Sequence, residues 1–118
     1  MPVESISAVT LAVADMDRAV DFYRKCGFET LPGFPSDEFT SFRVGAGFLN
    51  LILAESYTPH WWGRTIFHVD NVDDQYQRCL AAGLMPDTEP SDAPWGERYF
   101  HITDPDGHEL SFARPLGK

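Results

Sequence analysis

Residues 9–28 read VTLAVADMDRAVDFYRKCGF, and this stretch decides how the chain folds. Its first five residues alternate bulky apolar side chains with small or polar ones, which is the two-residue period of a β-strand. Asp15 follows where a helix N-cap is expected, and Gly27 stands where a helix commonly ends. The positions between them place one apolar face at helical spacing: Met16, Ala19, Val20 and Tyr23. The stretch therefore predicts a strand followed by an amphipathic helix.

The same features return later in the chain at a constant distance. Four pairs of equivalent residues are each 56 positions apart: Val13 and Val69, Asp15 and Asn71, Asp17 and Asp73, Gly27 and Gly83. Equal spacing of strand, cap, helix and stop indicates an internal repeat.

Each copy of the repeat continues into three further strands. Alternating apolar residues and turn-forming Gly, Pro and Asp predict these strands over 28–31, 39–44 and 48–53 in the first copy. In the second copy, a first strand over 65–69 and a helix opened by Asn71 precede strands over 84–88, 98–103 and 109–113. The last two are joined by Asp104-Pro105-Asp106-Gly107.

These elements predict an α+β fold made of two tandem β-α-β-β-β units, about 5–56 and about 63–115, within one domain over 1–118. A lone unit could bury only one face of its sheet. We therefore expect the two units to form one curved mixed sheet around a cleft, with the helices outside.

Composition limits the possible partners. The chain has 118 residues, of which 43% are hydrophobic, with a net charge of −9. Nucleic acid is an unsuitable partner because phosphate binding needs clustered Lys and Arg.

Cys26 and Cys79 form no C-x-x-C motif and are expected to be small buried residues in a reducing compartment. The chain begins without a signal-peptide pattern and has no apolar run long enough to span a membrane. We therefore expect a cytoplasmic protein with no membrane partner.

Strand alternation predicts which polar and aromatic side chains face the cleft. These are Thr10, Phe48, Asn50, Arg64, His68, Tyr99, His101, Glu109 and Ser111, together with the small or apolar Ala8, Ala12, Ile52, Ile66 and Ala113. His60 and His108 fall in loop or turn positions and are expected to be solvated.

Four groups of residues carry a resemblance to a known family. They are Val9-x-Leu11-x-Val13-x-Asp15-x-x-x-Ala19-x-x-Phe22-Tyr23-x-x-x-Gly27-Phe28; Phe67-x-Val69-x-Asn71-Val72-Asp73 with Ala81-Ala82-Gly83; Trp95-Gly96-x-Arg98-x-Phe100; and Asp104-Pro105-Asp106-Gly107-His108-x-Leu110-x-Phe112. On these motifs the chain resembles the vicinal oxygen chelate superfamily, which includes glyoxalase I, extradiol dioxygenases, and fosfomycin- and bleomycin-resistance proteins. The resemblance implies the paired β-α-β-β-β fold, usually as a homodimer.

Enzymes of this superfamily hold a divalent metal, and the resemblance places its ligands at Ala8, Asn50, Arg64 and Ser111. Ala8 offers no donor atom, and Arg64 carries a fixed positive charge without a free lone pair. We therefore expect no metal cofactor at these positions. A displaced site built from His68, His101 and Glu109 is the alternative, because two His and a carboxylate form a known metal set.

Large aromatic residues are expected near the cleft mouth, where they could stack on a planar ligand and attract a cation. Trp61 and Trp62 lie between the units, Trp95 precedes a strand, and Phe39 lies with Phe48 and Tyr99 on strands. Lids on the core or dimer contacts are the alternative roles for these side chains.

The absent metal ligands, the acidity and the motifs favour a binding protein of the bleomycin-resistance type over an enzyme. It would confer antibiotic resistance by sequestering a planar, aromatic and cationic compound without metal. Arg64 suits a cationic ligand only if it pairs with Glu109 or another carboxylate. The alternative is a glyoxalase-like lyase or isomerase, or a dioxygenase, with a displaced metal or with His68 or His101 as general acid–base. Arg64 would then hold an anionic substrate oxygen.

Overall fold

The structure is a computed structural model that describes residues 2–117. Its contacts divide the chain into two compact units, which we call unit 1, Met1–Thr58, and unit 2, Pro59–Lys118. Each unit has one helix and one four-stranded sheet.

Unit 1 begins with strand β1 and helix α1 and continues with three more strands. Their bounds are β1 Ala8–Val13, α1 Met16–Lys25, β2 Glu29–Thr30, β3 Phe39–Val44 and β4 Gly47–Leu53. The strand order in the sheet is β1-β4-β3-β2, in which β1 runs parallel to β4 and the other pairs are antiparallel.

Unit 2 repeats this arrangement. Its elements are β5 Arg64–His68, α2 Val72–Ala81, β6 Ser91–Asp92, β7 Glu97–Thr103 and β8 Glu109–Pro115. The order β5-β8-β7-β6 again joins the first and last strands in parallel. The α+β class and the two β-α-β-β-β units predicted from the sequence are confirmed.

The internal repeat extends to the details of the helix ends. Asp15 and Asn71 cap α1 and α2 with nearly the same extended backbone, and each side chain accepts a hydrogen bond from the amide three residues later. Gly27 and Gly83 both have positive φ after the last turn, at 101° and 84°. A residue with a Cβ is disfavoured in this conformation, which explains both glycines.

Aromatic and aliphatic side chains fill the cores beneath the helices. In unit 1 the rings of Tyr23, Phe28 and Phe42 lie within 6.0 Å of one another, centroid to centroid. In unit 2, Phe112 is 5.9 Å from Phe67 and 5.5 Å from Phe100. The core positions predicted for α1, Met16, Ala19, Val20 and Tyr23, are buried, as are the two cysteines and Val72 of α2. Leu80 of α2 is exposed.

The short strand predicted over 84–88 is wrong, because β6 lies further along the chain at Ser91–Asp92. The predicted segment does run beside β7, where the amide of Asp87 donates to the carbonyl of His101. However, the amide of His101 donates to the hydroxyl of Thr88 instead of to a main-chain carbonyl. Side-chain pairing replaces the main-chain ladder at this point, and the flanking Pro86 and Pro90 lack the amide hydrogens that a ladder needs.

Helices α1 and α2 are each ten residues long. Over residues 2–117, no helix has the length and apolar character needed to cross a lipid bilayer.

Candidate functional site

Unit 2 contains a cavity of about 210 Å³ on the sheet face opposite to its aromatic core, which we call the unit 2 pocket. Strands β5, β7 and β8 and the loop before β7 supply its walls. The lining residues are Arg64, Ile66, Trp95, Glu97, Tyr99, His101, Ser111 and Ala113.

The pocket exists because the central strand carries small side chains. Ser111 of β8 lies between Ile66 of β5 and His101 of β7 in the strand register. The next position facing the same way is Ala113, which is paired with Tyr99. Neighbouring strands are about 4.8 Å apart, so two small residues between larger ones leave a depression in the middle of the sheet face.

One wall of the pocket is aromatic, and we call Trp95, Tyr99 and His101 the aromatic wall. The indole of Trp95 stacks on Tyr99 with ring centroids 5.8 Å apart and an interplanar angle of 27°. Tyr99 lies 4.9 Å from the imidazole of His101. Trp95 is nevertheless 69% exposed, so the wall presents a flat aromatic surface to solvent.

Glu97 supplies negative charge beside this wall. Its Oε1 accepts a hydrogen bond of 3.0 Å from Nε1 of Trp95, which fixes the orientation of the indole. Its Oε2 lies 3.2 Å from Nε2 of His68. In the part of the chain that the structure describes, Glu97 has no ion pair with Lys or Arg. Its carboxylate is therefore a source of negative potential in the pocket.

The positive charge of Arg64 is paired within the unit. Its Nη2 lies 2.7 Å from Oε1 of Glu109, and both side chains are about one-third exposed. The condition under which Arg64 was expected to tolerate a cationic ligand is therefore met. The two charges offset each other, and Glu97 remains as the carboxylate without a Lys or Arg partner in the lining.

His101 of the aromatic wall forms a hydrogen bond with Ser111 of the neighbouring strand, in which Nδ1 of His101 lies 2.6 Å from Oγ of Ser111. Burial of the imidazole lowers the pKa of His101, and the charge of Arg64 lowers it further. The carboxylates of Glu109 and Asp87 act in the opposite direction. The imidazole is therefore held toward its neutral form.

The structure brings together most of the site residues predicted in the second half of the chain. Arg64, Trp95, Tyr99, His101 and Ser111 line the pocket, while Glu109 is joined to it by its ion pair with Arg64 and His68 by its contact with Glu97. The sequence reasoning missed Glu97 as a site residue. Its position two residues before Tyr99 on the same strand was the available signal, because such residues face the same side.

The predicted site residues of unit 1 make separate local contacts. Phe39 packs on Phe34, and the guanidinium of Arg43 lies 5.3 Å from the ring centroid of Phe48. Asn50 accepts a 2.7 Å hydrogen bond from the hydroxyl of Ser41.

Trp61 and Trp62 lie outside the lining of the unit 2 pocket. Trp61 is 70% exposed. Nε1 of Trp62 instead donates a 2.7 Å hydrogen bond to Nδ1 of His108, and the two rings meet edge to face.

The expectation that His108 is solvated is wrong, because this side chain is only 2% exposed. The turn before it holds the main chain of His108, whose amide hydrogen is accepted by Oδ1 of Asp104.

The four positions at which the family would place metal ligands do not suit a divalent ion. Ala8 has only a methyl group, and Arg64 presents a positive charge already paired with Glu109. The oxygens of Asn50 and Ser111 are engaged with Ser41 and His101. Within residues 2–117, no cluster of three or more His, Cys, Asp or Glu side chains is arranged to hold a metal. The alternative set of His68, His101 and Glu109 is therefore not brought together as a metal site.

Comparison with known proteins finds similar sequences and similar folds. An uncharacterised protein of Mycobacterium bovis is 31% identical over 132 residues, which cover 97% of this chain and 86% of the relative. The crystal structure of TioX from Micromonospora sp. ML1 is 32% identical, with a TM-score of 0.75, and the match covers 96% of this chain and 100% of that one. A bleomycin-binding protein in complex with bleomycin shares the fold at 20% identity and a TM-score of 0.76, covering 98% of this chain and 100% of that one.

The family assignment rests on the sequence itself. Residues 5–112 match the sequence model described as the Glyoxalase/Bleomycin resistance protein/Dioxygenase superfamily. This chain therefore belongs to the glyoxalase/bleomycin resistance protein/dioxygenase superfamily.

Proposed function

We propose that the protein binds and sequesters a small planar organic cation in the unit 2 pocket, without metal. One observation carries the proposal: a stacked aromatic wall borders Glu97, whose carboxylate has no Lys or Arg partner within residues 2–117. Aromatic faces and a nearby carboxylate both attract a flat cation. Sequestration requires affinity alone, and a concave, partly apolar pocket supplies it.

The size of the pocket limits the ligand. Pockets that enclose drug-sized molecules have volumes of roughly 300–1,000 Å³. The unit 2 pocket, at about 210 Å³, is smaller. A compound of two fused rings fits this space, and a larger one would extend past the exposed Trp95.

The direct test is calorimetric titration with two flat bicyclic compounds of opposite charge, N-methylisoquinolinium and 2-naphthoate. We expect the cation to bind and the anion to bind at least tenfold more weakly. Glu97→Gln keeps an oxygen that can accept from Trp95 but removes the charge, and it should abolish most of this preference. Glu89→Gln, which removes one negative charge from an exposed position of unit 2, is the matched control. Equal binding of both compounds, or a preference that survives Glu97→Gln, would contradict the proposal.

The enzyme alternative has one observation in its favour. The neutral imidazole of His101 lies in the same pocket as the guanidinium of Arg64, which could hold a carbonyl oxygen while the base removes a neighbouring proton. Deuterium incorporation from D₂O into 2-hydroxyacetophenone, followed by proton NMR, tests this reaction. Exchange that is accelerated by the protein and lost in His101→Gln would favour the enzyme over the binding protein.

Three features expected from the sequence stay predictions within this proposal: a homodimer, a cytoplasmic location and independence of metal. Sedimentation equilibrium, cell fractionation and elemental analysis of the purified protein test them in turn. A stoichiometric transition metal would contradict the metal-free binding site.

A further inference from the structure

The pair formed by His101 and Ser111 lies at one end of the unit 2 pocket, away from the carboxylate of Glu97. The two residues face each other in the register of β7 and β8, and Oγ of Ser111 lies 2.6 Å from Nδ1 of His101. Ser111 is only 3% exposed. A hydroxyl buried to this degree needs an acceptor for its proton within the protein.

The hydrogen bonds of this pair determine where the imidazole proton lies. Among residues 2–117, the Ser111 hydroxyl contacts no acceptor other than Nδ1 of His101. If Nδ1 carried the proton, the buried hydroxyl would have no acceptor, at a cost of about 1–3 kcal/mol. Ser111 therefore donates to Nδ1, and the hydrogen of the neutral ring is on Nε2.

The Nε2–H group is available to a ligand. Within the described part of the chain, Nε2 of His101 has no hydrogen-bond partner, and the side chain lines the pocket. The lowered pKa of His101 is consistent with a neutral ring that donates from Nε2 alone. The pocket thus has a carboxylate toward one end and, toward the other, a neutral donor beside Arg64, whose charge is paired with Glu109.

We propose that Nε2–H of His101, oriented by Ser111, selects ligands with a hydrogen-bond acceptor at the end opposite to their positive charge. The ligand class is a planar bicyclic cation with a ring nitrogen or carbonyl oxygen at its far end. This inference rests on the proposed function, because it concerns the same ligand. Glu97 and His101 are four residues apart on one face of β7, or about 13 Å along the strand. Two fused rings with one polar contact at each end span roughly this distance.

Two isosteric cations test the inference by titration calorimetry at slightly alkaline pH. N-methylisoquinolinium has a C–H group at the far end, and N-methyl-2,7-naphthyridinium has a ring nitrogen in its place. One net hydrogen bond corresponds to about a fivefold difference in affinity, which we expect in favour of the naphthyridinium.

Three variants assign this preference to the pair. The double variant Ser111→Ala/His101→Phe keeps a ring in the aromatic wall and leaves no buried hydroxyl without an acceptor. It should still bind N-methylisoquinolinium, but the ratio of the affinities for the two cations should fall to about one. Ser111→Ala alone should reduce the ratio part of the way, because either ring nitrogen can then carry the proton. Thr103→Val removes a comparable hydroxyl from β7, one that bonds Asp87 outside the pocket, and should leave the ratio unchanged.

A spectroscopic measurement separates orientation from a structural effect. Nitrogen-15 NMR of the His101 ring should show the proton on Nε2 in the wild-type protein and on both nitrogens, in exchange, in Ser111→Ala. Equal affinity for the two cations, or a ratio that survives the double variant, would overturn the inference and leave the proposed function standing. Binding of neither cation would overturn both.

Discussion

The guanidinium of Arg98 donates two parallel hydrogen bonds to the carboxylate of Asp73, from Nε to Oδ2 and from Nη2 to Oδ1, each 2.9 Å long. A third bond, also 2.9 Å, runs from Nη1 to Asp92. One side chain of β7 thereby joins the first turn of α2 to β6. Hydrogen bonding to Arg98 lowers the pKa of Asp73, and the two carboxylates together raise the pKa of Arg98.

Replacing Arg98 by Lys should destabilise the protein at neutral pH, because an ammonium group cannot make the paired hydrogen bonds. The pKa of Asp73 is lowered in the folded state relative to its ordinary 3.8, so its contribution is present above that pH and is lost as the pH falls through the lowered value. Urea unfolding at a series of pH values should therefore show a difference between wild type and Arg98→Lys that shrinks in acid. Arg78→Lys, in the last turn of α2, is the control, and a difference independent of pH would contradict the role of Asp73.

Removing the guanidinium of Arg64 should change the charge preference of the pocket. Arg64→Ala leaves Glu109 without its 2.7 Å ion-pair partner, so the lining gains net negative charge. We expect tighter binding of N-methylisoquinolinium, by about two- to tenfold for a partly solvated charge. Salt dependence measured in the same titrations should become steeper. Weaker binding of the cation would contradict the expectation that removing this guanidinium makes the pocket more negative.

Gly107 should tolerate a side chain less well than Gly33, although both have φ close to +90°. In either position the left-handed backbone should cost Ala about 1–2 kcal/mol. At Gly107 the added Cβ would also lie 2.8 Å from Cβ of Pro59, whereas at Gly33 it meets no atom within 4 Å. Overpacking of this kind costs about 1–3 kcal/mol more. Both variants are measured by urea unfolding. Equal losses of unfolding free energy in Gly107→Ala and Gly33→Ala would contradict this prediction, because they would show that Pro59 can move away from the added Cβ without loss of stability.

Trp62 should stabilise unit 2 through His108. Trp62→Phe keeps an aromatic ring but removes the donor of the 2.7 Å hydrogen bond to Nδ1 of His108. We expect the free energy of unfolding to fall by about 1 kcal/mol. The affinity for N-methylisoquinolinium should be unchanged, because Trp62 does not line the unit 2 pocket. A loss of affinity without a loss of stability would place Trp62 in the binding site after all.

The sequence predicted those parts of the fold that depend on local chemistry. Asp15 and Asn71 reveal their helices because capping is decided by a few neighbouring residues. The position of β6 could not be predicted in this way, because Thr88 competes with the main chain for the amide of His101 through a long-range contact. The burial of His108 was also missed, since it depends on a donor 46 residues away at Trp62.

The candidate site was also predicted only in part from the sequence. Alternation along β5, β7 and β8 correctly placed Arg64, Tyr99, His101 and Ser111 on one sheet face. Alternation alone does not reveal charge compensation, because the pairing of Arg64 with Glu109 depends on rotamers as well as on strand register. Glu97 stood out as a site residue only when its contacts with Trp95 and His68 were visible.

The depression over Ser111 and Ala113 has a consequence for how this protein could acquire new ligands. Its depth is set by the size of two side chains on a strand that is held on both sides by neighbouring strands. A single exchange of Ala113 for a larger residue would make the floor shallower while the surrounding main chain stays in place. The choice of ligand can thus change through single substitutions on this strand, while the sheet that carries the pocket keeps its structure.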